Sequence, residues 1–306
     1  MAELHELSQD RRLRNHFNID KRRRTSRHIQ PDPHFHSYYE FYYLIDGACR
    51  FFVLDTMYTL ASGDLLICAP GEYHRNSYYG SQMHDRFTVY FDSYRITEEL
   101  VPYLGFLPDA PGGRRQYHIP EHLQEDFLDL QNYMLHQYQL DSPEGEFSLV
   151  HLLPIYLMFI HQNAQPAAME NQQTNQTEQA LQAAAQYIAS HFSDAITLDQ
   201  VSRLAGFSPT YFSRRFKDFA GISFSSYLTH IRLREAASML RGTELPISEI
   251  SQSCGFSGAN YFGDVFRLAY GISPREYRRK EEVEQKERPL FRTVGDIRSL
   301  SSFRLG

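Results

Sequence analysis

Cysteine is scarce in this chain: Cys49, Cys68 and Cys254 are the only three in 306 residues, and they fall at no metal-ligand spacing. That excludes a disulfide scaffold or a thiolate zinc module as the organising element. Long apolar runs are also missing. The longest, Leu152 to Ile160, is broken by Pro154 and is far shorter than the roughly 20 residues of a membrane span. No apolar h-region follows the N-terminus, so a reduced, cytoplasmic protein without a membrane segment is expected.

What is present suits two ordinary domains: 306 residues, 42% of them hydrophobic, are enough for two buried cores. The formal charge of -6 hides a segregation. Residues 1–30 carry +4, residues 31–178 carry -14 and residues 179–280 carry +4, while 281–306 balance. A basic segment attracts phosphate backbone, whereas an acidic body is better suited to a neutral or cationic ligand or a protein partner.

Residues 1–30 have no apolar periodicity and are expected to form a mobile basic arm. From His34 to about Tyr90, short aromatic and β-branched runs alternate with Asp46-Gly47, Ser62-Gly63-Asp64 and Pro70-Gly71. This is turn chemistry between the strands of a small barrel. Leu123, Phe127, Leu130 and Met134 form one helical stripe, and a second helix is expected over about Phe147 to His161. The stripe is a candidate dimerisation face, with cover for the barrel as the alternative use. Residues 31–162 therefore read as one domain with two accessory helices. The Gln- and Asn-rich segment 163–178 reads as a linker, residues 179–280 as an all-helical domain and 281–306 as a tail.

Within the helical domain, Thr197 and Gln200 are spaced for a capping box and Ser208-Pro209 for a helix start. Val201 to Tyr227 recurs as Ile250 to Tyr277: Gly206-Phe207-Ser208 matches Gly255-Phe256-Ser257, Tyr211-Phe212 matches Tyr261-Phe262, and Gly221-Ile222-Ser223 matches Gly271-Ile272-Ser273. Each copy is a helix, a glycine turn and a second helix that can enter a major groove. Leu233, Ala236, Ala237 and Leu240 give the helix between the copies one apolar face.

These two segments resemble the signature of the AraC/XylS transcription regulators over about 100 residues. The resemblance implies two readers in one monomer, entering successive major grooves of a double-stranded operator. In the first, Pro209, Thr210, Ser213, Arg214 and Lys217 face outward while Tyr211, Phe212 and Phe216 pack inward. Arg214 is the best base reader, since its fork can take guanine O6 and N7 together. In the second, Gly263 and Asp264 stand where the family has a polar and a basic residue, so that reader would act through Ala259, Asn260 and Arg267 or mainly by shape. Arg232, Arg234, Arg278 and Arg279 are the candidate phosphate contacts.

In the front domain, His34-Phe35-His36, Glu40 and Gly47 resemble the first motif of the cupins. Gly63-Asp64 through Glu72-Tyr73-His74 resembles the second. Positions 34, 36 and 40 share parity, so on extended strands all three can face one interior, with His74 arriving from a neighbouring strand. In cupin enzymes this set binds a transition metal. In a regulator it can equally wall an organic effector pocket. The expectation is an α+β multidomain protein with a cupin-like β-barrel in front and a double helix-turn-helix behind. It is a ligand-responsive regulator, plausibly of carbohydrate, without enzymatic activity or a cofactor, and a homodimer. The effector contacts would be His34, His36, Tyr38, Glu40, Tyr42, Arg50 and His74, and Tyr43, Tyr58, Tyr78 and Tyr79 are further aromatic candidates. A resident metal on His34, His36, Glu40 and His74, in a cupin enzyme fused to a DNA-binding tail, is the competing reading.

Overall fold

The computed structural model describes residues 16–24, 34–78, 84–167 and 175–287. Most of the basic arm, Tyr79, the centre of the linker and the tail beyond residue 287 lie outside these residues.

Seven strands come first: β1 (Phe17–Arg24), β2 (Tyr39–Asp46), β3 (Ala48–Val53), β4 (Thr56–Ala61), β5 (Asp64–Cys68), β6 (His74–Tyr78) and β7 (His84–Phe91). With β8 (Gln116–His118) and β9 (Gln165–Pro166) they make a six-stranded sheet, ordered β1-β7-β2-β5-β8-β9, and a three-stranded sheet, β4-β3-β6. Two sheets stand where one closed barrel was expected, although the layering remains cupin-like. The arm expectation is corrected at one point. Phe17 to Arg24 pair with β7 along their whole length, because Phe17 and Ile19 alternate with polar residues and bury their side chains.

Period-2 patterning in β2 divides the molecule. Tyr42 and Leu44 point between the sheets and join Cys49, Phe51, Leu60, Leu66 and Cys68 in an inner core. Tyr39, Phe41 and Tyr43 point the other way and pack under helices α1 (Gln124–Leu140) and α2 (Pro143–Asn163). Phe127 and Met134 of the anticipated dimer stripe are fully buried there, with Leu123 and Leu130 packed against the same core. That stripe serves its own domain. A single helix supplies one apolar face, and the sheet beneath α1 takes it.

The helical part comprises α3 (Gln176–Ser190), α4 (Leu198–Leu204), α5 (Pro209–Ala220), α6 (Phe224–Gly242), α7 (Ile247–Ser253), α8 (Ala259–Tyr270) and α9 (Pro274–Glu287). Thr197 and Gln200 close a capping box on α4, and Ser208 caps α5 with Pro209 at its first turn. Leu233, Ala236, Ala237 and Leu240 of α6 are all buried between the two helix-turn-helix units. Their core does not stop at the linker. Phe35, Phe52 and Tyr73 of the barrel belong to the same hydrophobic cluster as the helices.

Candidate functional site

The barrel end nearest the helices holds a polar cluster. Glu40 lies opposite Cys68 of β5 and Tyr90 of β7, so these three side chains share one face. His34 and His74 meet in an isolated β-bridge, and their rings lie 4.4 Å apart. His36 Nε2 and His74 Nε2 lie 3.1 and 2.9 Å from the same Glu40 oxygen, Oε2. Tyr90 donates its hydroxyl to Oε1, and Tyr38 stacks on His36. On the far side of each ring, His36 Nδ1 is 2.8 Å from the Tyr38 carbonyl and His74 Nδ1 is 2.8 Å from the Glu72 carbonyl. Burial alone would raise the Glu40 carboxyl, but the two imidazoles hold it well below its usual range. Burial lowers the basicity of His36, partly offset by Glu40.

The expected effector contacts therefore separate. His34, His36, Tyr38, Glu40 and His74 converge. Tyr42 lies deeper, against Phe51 and Arg86. Arg50 leaves the barrel interior and pairs with Glu178 of α3 at 2.9 Å. Tyr90 and Cys68 carried no motif signal, although the β2 register would have paired both with Glu40. Cys68 lies against His74, and burial raises its thiol pKa.

Beside this cluster, a cleft of about 510 Å³ opens between barrel and helices, lined among others by His36, Glu72, Asp109, Arg115, Arg234 and Arg241. Arg115 engages both oxygens of Glu72, and Tyr39 donates to Asp109 at 2.7 Å.

The first reader helix, α5, exposes Pro209, Thr210, Arg214 and Lys217, with Ser213 half-buried between them. Tyr211 is also exposed, which corrects its expected inward packing. It leans on Phe207 and lies under the Arg214 guanidinium, 5.8 Å from its ring centre. In the second, α8 exposes Ala259, Asn260, Asp264 and Arg267. Its start lacks a side-chain cap because Gly258 stands at the N-cap, so the two readers differ in stability as well as in charge.

Three expected phosphate contacts have other partners. Arg232 donates to the carbonyls of Phe192 and Asp194, tying down the end of α3. Arg278 donates to the Leu245 carbonyl. Arg234 faces the cleft and pairs with Glu235, because its side of α6 is turned toward the barrel. Arg279 remains exposed.

Barrel side chains grip both reader helices. Tyr73 donates to the Ala220 carbonyl at 2.6 Å, and Arg75 to that of Asp218 at 3.0 Å, both at the C-terminal end of α5. Phe52 meets Phe219 edge to face. Phe35 sits between His230 of α6 and Tyr270, the last residue of α8. No motif marked these residues as contacts, though Phe35 and Tyr73 have the opposite parity to their histidine neighbours.

A ligand-binding barrel packed onto a paired helix-turn-helix is the class that this geometry defines. Family models agree: an AraC-like ligand binding domain matches residues 20–132 and a helix-turn-helix domain residues 201–280. The chain belongs to the AraC/XylS family of transcriptional regulators. It is 37% identical over 118 residues to the uncharacterized HTH-type transcriptional regulator YijO of Escherichia coli K12, a match over 38% of this chain and 42% of that protein. It is 38% identical over 102 residues to the Xylose operon regulatory protein of Escherichia coli K12, covering 33% of this chain and 26% of that one. The match thus spans less than half of either relative. The HTH-type transcriptional activator RhaS of Escherichia coli is 25% identical over 248 residues, covering 80% of this chain and 86% of that protein. Among the described residues no helix is long and apolar enough to cross a membrane.

Proposed function

We propose that this protein is a cytoplasmic transcription regulator that reads double-stranded DNA with α5 and α8 and responds to a small molecule bound at its barrel. The observation that carries this reading is the pair of helix-turn-helix units held on one buried connecting helix, α6, with Thr210, Ser213 and Arg214 on the outer face of α5. Two such readers on one face of DNA call for half-sites about one helical turn, 10–10.5 base pairs, apart.

The Xylose operon regulatory protein among the relatives supports a carbohydrate effector. Size favours the interdomain cleft as its seat, since about 510 Å³ falls within the usual range for small-molecule pockets. His36, Glu72, Asp109 and Arg115 would supply hydrogen bonds there. An enzymatic role is disfavoured: the side chains of His36, Glu40 and His74 are only 2%, 5% and 1% exposed, whereas a catalytic metal keeps an open position for substrate. The homodimer we assign to the outer face of α1 and α2, where Tyr133, Phe147 and Ile155 are exposed.

Selection of DNA ligands from a random pool by the full chain, followed by anisotropy titration at several salt concentrations, tests the reading. Enrichment of a two-part site is expected. Recovery of no common sequence would overturn it. A thermal-shift screen of sugars then tests the effector, because a ligand at 100 times its dissociation constant stabilises by about 2.7 kcal/mol.

A further inference from the structure

The histidine cluster has a proton problem. A carbonyl oxygen only accepts, so the short contacts to the Tyr38 and Glu72 carbonyls place a proton on Nδ1 of both His36 and His74. That leaves each Nε2 with a lone pair. Both Nε2 atoms nevertheless aim at one carboxylate oxygen, Glu40 Oε2, which also only accepts. Satisfying this with protons alone requires two imidazolium cations packed against one carboxylate in a site closed to water, an arrangement that desolvation opposes.

One divalent cation among these atoms removes the conflict. His34, His36, Glu40 and His74 each offer a ligand atom, and the four atoms lie within 4.8 Å of one another. An ion holding nitrogen and oxygen ligands at about 2.0–2.2 Å keeps them about 3–4 Å apart, so small side-chain shifts complete the site. Imidazoles whose other nitrogen donates to a backbone carbonyl are the usual metal-ligating form, fixed in tautomer and orientation. Three imidazoles and a carboxylate suit first-row transition ions and not calcium or magnesium.

The same two segments carry the contacts to the DNA readers. His34 and His36 face the cluster, while Phe35 between them reaches Tyr270 at the end of α8. His74 faces the cluster, while its neighbour Tyr73 bonds Ala220 at the end of α5. Fixing the histidines therefore fixes the two side chains that grip the readers.

We infer that His34, His36, Glu40 and His74 form a site for a divalent first-row transition metal, and that its occupancy holds the C-terminal ends of both reader helices against the barrel. This replaces the expectation that these four residues contact only an organic effector. It deepens the regulator reading on which its consequence for DNA binding rests.

The test uses the full chain, stripped with a chelator and dialysed against Zn(II) or Co(II). One equivalent per chain is expected, with ligand-field bands of a nitrogen- and oxygen-bound Co(II) ion. Glu40→Gln, and the half-exposed His34→Asn as the variant least prone to misfold, should each weaken binding by about tenfold or more. Substoichiometric binding by the folded wild type overturns the site. Hydrogen exchange then tests the coupling: metal should slow exchange in the segments around Ala220 and Tyr270. In Tyr73→Phe the slowing near Ala220 should be lost although metal still binds. Bound metal with unchanged exchange overturns the coupling. Operator affinity should rise by about fivefold or more with metal, the lower end of common coupling strengths. If metal binds and exchange slows but no DNA is bound, the regulator reading fails and the metal site stands.

Discussion

Tyr73 of the barrel donates its hydroxyl to the carbonyl of Ala220, 2.6 Å away, and so terminates the helix that bears Arg214. Last-turn carbonyls have no partner within their own helix, and here another domain supplies one. Tyr73→Phe leaves the ring packing intact and the carbonyl unpaired. The expected cost is about 1–3 kcal/mol, read as a lower denaturation midpoint and faster exchange near Ala220. An unchanged midpoint would mean that water replaces the hydroxyl without loss.

Arg214 and Arg234 are expected to part company on DNA. Arg214→Ala should cost about 1–3 kcal/mol at the selected site and relax base preference at one position. Arg234 faces the cleft, so Arg234→Ala should leave the dependence of affinity on salt unchanged, whereas loss of a phosphate contact would reduce that slope by about 1. A reduced slope for Arg234→Ala would place it at the DNA after all.

The turn glycines of the two readers make a matched pair. Gly206 and Gly255 have φ of +73° and +75°, a region in which a side chain costs about 1–3 kcal/mol. A Cβ at Gly206 meets nothing within 4 Å, whereas one at Gly255 lies 2.6 Å from the Ser193 carbonyl oxygen. Gly255→Ala should therefore destabilise more than Gly206→Ala in urea titrations. Equal losses would show that the Ser193 segment moves aside freely.

Acid should loosen the interdomain contact through His230. It is buried against Phe35 and Tyr73, and neither ring nitrogen has a hydrogen-bond partner among the described residues. Burial first, then the charges of Arg234 and His74, push its pKa down to about 3 from the usual 6.5. A folded-state value below the unfolded one means that the unfolded chain takes up the proton. Its contribution is therefore complete above about pH 6.5 and is lost as pH falls toward 3, at up to about 1.4 kcal/mol per pH unit. Melting temperatures between pH 7 and 5 should fall less in His230→Leu than in the wild type. Parallel curves would assign the acid sensitivity to other groups.

The elements legible from sequence were those with local causes. The capping box at Thr197, the Ser208-Pro209 start and the repeated Gly-Phe-Ser turns depend on neighbours a few residues away. Strand parity in His34-Phe35-His36 placed two histidines on one side. The sequence carried no sign that Phe35, on the other side, would find Tyr270, because that contact spans the linker. Tyr90 reached Glu40 through a strand register that only the folded sheet sets. Arg232 and Arg234 looked alike in sequence, both basic on one helix. Neighbouring elements decided their roles: the carbonyls ending α3 capture one, and the barrel shields the other.

Phe35, Phe52 and Tyr73 are built into the hydrophobic core of the helices, and this constrains how such proteins diversify. A DNA-reading half transplanted onto an unrelated barrel would arrive with Phe219, Tyr227 and His230 uncovered, and would need matching aromatic rings on its new host. Exchange of whole halves should succeed only between chains that conserve this ring set, and calorimetry of the intact chain should show one melting transition in place of two.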